Sequence, residues 1–65
     1  MEIKFSRHAK NKLRLYKLSI EEAKRVIDEG ERTQREEKEE SSLDDLRVIW
    51  VIESTYAFVV TVIRK

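Results

Sequence analysis

His8 is the sole histidine in this chain of 65 residues, and the segment around it, Arg7-His8-Ala9-Lys10-Asn11-Lys12, opens the most basic stretch. An imidazole exchanges a proton near neutral pH, so it can serve as general base or general acid. Cations beside it can hold a phosphodiester and stabilise the charge that builds on phosphorus during attack. A base among cations is what RNA cleavage without a metal requires, because the 2′-hydroxyl of the substrate is itself the nucleophile. The plain alternative is that His8 packs locally against Ser6 or a neighbouring strand.

Further cations extend this set. Arg7, Lys10, Arg14 and Lys17 recur at three- and four-residue spacing, which draws a cationic stripe along a helix. With Lys12 and, from the strands, Arg47, Arg64 and Lys65, they could track a phosphate backbone. Within the catalytic reading, His8 is the base or acid, Arg7, Lys12 and Arg14 hold phosphate, and Arg47 or Arg64 supplies the transition-state cation. Trp50, Tyr56 and Phe58 could stack bases, although core packing is the simpler role for them. The single glycine rules out a Gly-rich phosphate loop, and the carboxylate run shows no metal-ligand spacing. No cofactor is expected.

The elements that must position these groups are readable. Met1 to Phe5 alternates as a short strand, and Ser6 can cap a helix from Arg7 to about Lys17, with Ala9, Leu13 and Tyr16 as its buried stripe. Ser19 and Glu22 have capping-box spacing, which predicts a second helix over 20–29, closed by Gly30 at positive φ. An edge strand is expected near Arg32–Lys38, protected by its charges, followed by a turn over 41–45. Two strands, 46–52 and 56–63, are rich in β-branched and aromatic residues. Their apolar residues fall on both faces, so one face is expected to meet the helices and the other a dimer mate, a partner or a cleft floor. The order is β-α-α-β-β-β: an α+β fold with an antiparallel sheet and two helices packed on one face.

Length allows one domain, residues 1–65, with a marginal core that buries only ~60% of the unfolded surface. There is no Cys to staple it, and 42% of the residues are charged, a composition typical of thermophile proteins. The net charge of +1 conceals segregation: residues 1–25 balance at +5, residues 26–46 at −6 and residues 47–65 at +2. That pattern suits one basic face for an anionic partner, or two halves that neutralise each other. No apolar run approaches a membrane span and no signal-peptide pattern opens the chain, so a soluble cytoplasmic protein is expected.

Phe5-Ser6-Arg7-His8-Ala9, the basic helix, the helix opened by Leu18-Ser19-Ile20-Glu21-Glu22 and closed by Gly30, and the final Val60-Thr61-Val62-Ile63 together resemble a small family of uncharacterised domains. That family is grouped with the RelE-like toxins, in the barnase/colicin/RelE-type nuclease superfamily. The resemblance implies a metal-independent ribonuclease, or an mRNA-cleaving toxin paired with an antitoxin protein. Its site would lie on the exposed sheet face and the first helix, with the family's histidine at His8, its basic helix position at Lys12 and its closing threonine at Thr61. The chain departs at Tyr16-Lys17, where such domains usually read Arg-Gly; Arg14 and Lys17 are the cations nearest to replace that arginine. The alternative is a non-catalytic module that binds nucleic acid or protein, as a possible homodimer.

Overall fold

Two serines start the two helices. The computed structural model describes residues 2–64. Strand β1 (Glu2–Phe5) hands over to helix α1 (Arg7–Leu15) through Ser6, whose hydroxyl accepts from the Ala9 amide at 3.0 Å. Helix α2 (Ile20–Glu29) opens on a complete capping box: the Glu22 amide donates to Ser19 Oγ, and the Ser19 amide donates to the Glu22 carboxylate. Two first-turn amides are thereby satisfied, and Glu21 and Glu22 sit favourably in the helix dipole.

Four strands follow: β2 (Glu31–Arg35), β3 (Lys38–Leu43), β4 (Leu46–Glu53) and β5 (Tyr56–Arg64). The sheet order is β1-β5-β4-β3-β2, with β1 parallel to β5 and the other pairs antiparallel. Helix α1 packs on β5, and α2 lies across β4, β3 and β2. One core joins them: Ala9 and Leu13 from α1, Ala23, Val26 and Ile27 from α2, and Val48, Trp50, Ala57, Val59 and Val62 from the sheet. The other face of the sheet carries the alternate set, including Arg47, Ile49, Val51, Phe58 and Thr61.

The fold is α+β with two helices on one face, as the pattern predicts, but four details are corrected. The sheet is mixed rather than antiparallel. A strand absent from the sequence reading, β3, occupies most of the expected turn, and the edge strand is Glu31–Arg35, exposed throughout. Helix α1 ends at Leu15, not Lys17, and Tyr16 is only half-buried. Gly30 has φ −74 and ψ 168, ordinary extended backbone. It is required for space: a Cβ there would lie 2.4 Å from the Val26 carbonyl oxygen and 2.6 Å from that of Ser42. Both are backbone atoms at a helix–strand crossing, which no rotamer change can move.

The end of α1 has a specific cause. The Lys17 amide donates to the Arg14 carbonyl at 3.1 Å and the Leu18 amide to the Leu13 carbonyl at 2.8 Å, the paired bonds of a Schellman motif. Lys17 accordingly takes φ 58, a left-handed conformation that glycine favours. The two-residue turns of the three hairpins likewise place Glu36, Asp44 and Ser54 at positive φ. No helix among the described residues is long and apolar enough to cross a membrane.

Candidate functional site

The position of His8 is set by an irregularity in β5. Between the pairs Ile49–Thr61 and Trp50–Val59 the register shifts, leaving Val60 as the extra residue of a β-bulge. The carbonyl of Val60 accepts the Ser6 hydroxyl at 2.8 Å, and the Val59 carbonyl accepts the Ser6 amide at 3.0 Å. Ser6 therefore both caps α1 and ties its first turn to the last strand. At the other end, the Arg64 guanidinium donates to the Tyr16 carbonyl at 3.2 Å. Helix α1 thus runs beside the second half of β5, beyond the stretch that β1 covers.

His8 is exposed in that first turn. At roughly 100° per residue, His8, Lys12 and Tyr16 follow one another on one flank of α1. The Lys12 ammonium donates to the Tyr16 hydroxyl at 3.3 Å and stands 5.4 Å from the centre of its ring. Arg14 is turned roughly 120° from His8 on the same count and lines, with Lys10, a groove toward Leu18 and Ile20. Arg7 shares that second flank, and Lys17 follows it just past the helix. The cationic stripe is real as a surface, but it faces away from the histidine.

The strand cations are engaged. Arg64 Nε contacts Asp45 Oδ2 at 3.0 Å, so this residue fastens β5 to the β3–β4 turn and to α1. Arg47, on the open face, lies 3.4 Å from the Glu40 carboxylate, which also attracts Arg35 at 3.9 Å. Among the described residues the buried Arg47 Nε has no hydrogen-bond partner, so its contact with Glu40 is electrostatic rather than directional. Thr61 is half-buried on the open face opposite Ile49. Lys65 lies outside the described residues.

The aromatic residues divide. Trp50 is 1% exposed and donates from its indole to Ser41 Oγ at 2.9 Å, which makes it core and not a stacking platform. Tyr56 and Phe58 are half-buried on the open face, with the Lys4 ammonium 4.3 Å from the Tyr56 ring centre. By their spacing along α1, His8 and Lys12 fall on one flank and Arg14 on another. Sequence reasoning missed Tyr16 as a member of the His8 flank, although its four-residue spacing from Lys12 was the available signal. Among the described residues, no three His, Cys, Asp or Glu side chains gather as a metal would require.

Neither a curated protein nor a solved structure matches this chain significantly. A family model does, over residues 5–64, the span from the strand before His8 to the arginine that fastens β5. The chain belongs to that family, the domain of unknown function DUF4258.

Proposed function

We propose that this domain is a metal-independent ribonuclease of RelE-like type, the toxin of a toxin–antitoxin pair, with its site on the His8 flank of α1. The observation that carries this reading is the exposed His8 held in a fixed first turn, on the same flank as the Lys12–Tyr16 pair. First-turn amides of Arg7 and His8 have no intrahelical partner and favour an anion such as phosphate. In the proposed step His8 takes the proton from a 2′-hydroxyl. The 2′-oxygen bonds to phosphorus, the bond to the 5′-oxygen breaks, and that oxygen gains a proton from solvent. Lys12 stabilises the charge on phosphorus, and the products end in a 2′,3′-cyclic phosphate and a 5′-hydroxyl.

Arg14 and Lys10 then hold RNA at a distance from the scissile bond, and Arg64 acts by positioning α1. The test is cleavage of a labelled single-stranded RNA by the protein and its His8→Ala variant. Loss of a general base lowers the rate by about 10²–10⁴, with the fold retained because His8 is exposed. Unchanged cleavage removes His8 from the mechanism.

One observation favours a second reading. Among the described residues His8 has no hydrogen-bond partner to orient its ring, whereas a catalytic base is commonly oriented by a third group. On that reading the domain binds RNA without cutting it. Affinity that falls steeply with salt, with no product on a gel, would be the result.

A further inference from the structure

Strand β2 ends the sheet, and all five of its residues are exposed. It carries no proline and no lysine, and it pairs with β3 through five consecutive residues without a bulge. The guards against strand pairing at this edge therefore reduce to the charges of Glu31, Arg32 and Arg35. The strand is fastened from behind: Arg32 Nε donates to the buried Glu39 carboxylate at 2.6 Å, and its guanidinium lies 4.8 Å from the centre of the Trp50 ring. Arg35 and Lys38 flank a two-residue turn and so exchange hydrogen bonds, as do Thr33 with Glu40 and Glu31 with Ser42. Arg32 and Gln34 consequently point their amides and carbonyls outward, to the side where no strand follows.

We propose that two copies of this chain pair β2 with β2, antiparallel and centred on Thr33, which joins their five-stranded sheets edge to edge. In that register Arg32 of each copy faces Gln34 of the other, so every outward amide and carbonyl of the two residues finds a partner. Glu31 faces Arg35 at both ends, in non-hydrogen-bonded pairs whose Cα atoms stand about 4.5 Å apart. Glu31, Thr33 and Arg35 share the open face, since Thr33 pairs with Glu40 and Glu40 with Ile49. Opposite charges so placed attract, and among the described residues Glu31 has no cation of its own chain within 4.0 Å. The alternative registers are poorer. Centring the pair on Arg32 sets like charges opposite each other, and centring it on Gln34 leaves Glu31 beyond the end of the opposing strand. The edge is separate from the apolar face of the sheet and from the His8 flank, so this inference stands independently of the nuclease reading.

The test is self-association of the full chain and its variants, measured by sedimentation equilibrium. Glu31→Lys sets cation against cation at both ends of the pair, and Arg35→Glu sets carboxylate against carboxylate. Each alone is expected to weaken association at least ~10-fold. An equimolar mixture of the two variants opposes unlike charges at both ends again, and should associate at least ~10-fold more tightly than either variant by itself. Gln34→Pro removes only an outward amide from an edge strand, and should leave a monomer with the circular dichroism of the parent. A parent that stays monomeric up to about 1 mM overturns the proposal, as does a mixture no tighter than its components. Association that survives Gln34→Pro belongs to another surface, such as the apolar face of the sheet, and overturns it too. Should Gln34→Pro unfold, the charge mixture still decides the matter, because Glu31 and Arg35 are exposed.

Discussion

Replacing Lys17 with glycine should make this domain more stable while removing a charge from its basic surface. The reason is the Schellman turn that closes α1, where Lys17 holds φ 58 and its own amide bonds to Arg14. A left-handed conformation costs an L-residue roughly 1–2 kcal/mol. Glycine escapes that cost but loses about 0.5–1 kcal/mol more chain entropy on folding. The difference leaves a net gain of about 0.5–1 kcal/mol, or roughly 2–8 °C in Tm for a domain of this size. Thermal unfolding followed by circular dichroism reads it directly. Lys17→Ala, which keeps the strain and removes the side chain beyond Cβ with its charge, should stay near the parent, and Lys17→Val should fall below it. A Gly variant that melts at or below the parent temperature would refute the account of the turn. The same variant separates stability from recognition: if Lys17 contacts phosphate, the slope of log affinity against log salt falls by about one.

Gly30→Ala should lose about 1–3 kcal/mol by crowding two backbone carbonyls, and Gly30→Asn should do no better; a lower urea midpoint with unchanged slope checks this. Ser41→Ala should lose about 1–3 kcal/mol by leaving the buried Trp50 indole without its acceptor. Adding Trp50→Phe to that variant should be less damaging than in the parent, which a double-mutant cycle in denaturant measures. Ser6→Ala removes a cap and the tie to Val60 together, and about 1–2 kcal/mol of stability should go with them. If the nuclease proposal holds, RNA cleavage by Ser6→Ala should fall more than RNA affinity does, because the first turn that carries His8 loses its anchor.

Local signals were readable in the sequence, and signals that depend on a distant partner were not. Helix α2 has the predicted bounds because Ser19, Glu22 and Gly30 mark them within the segment itself. Strand β3 escaped detection because its inward positions are Glu39, Ser41 and Leu43, only one of them apolar. Glu39 is buried against Arg32 at 2.6 Å and Ser41 against the Trp50 indole, so polar partners replace the usual alternation of apolar residues. The bulge at Val60 turns both Val59 and Val62 inward, which strict alternation along β5 forbids. For the site, the four-residue step from His8 to Lys12 was legible, and so was the six-residue step that parts His8 from Arg14. The capture of Arg64 by Asp45 depends on sheet order and could not be read locally.

The tether between Ser6 and Val60 spans 54 positions of sequence, and β1 completes its pairing only with Ile3 beside Ala57 and its neighbours. Contacts so far apart along the chain form slowly, since a long loop must close before they reward it. A shortened chain that stops before Tyr56 would therefore possess every reactive group of the His8 flank and none of its moorings. Whatever α1 does to a nucleic acid, it can do only once the final strand has been laid beside it.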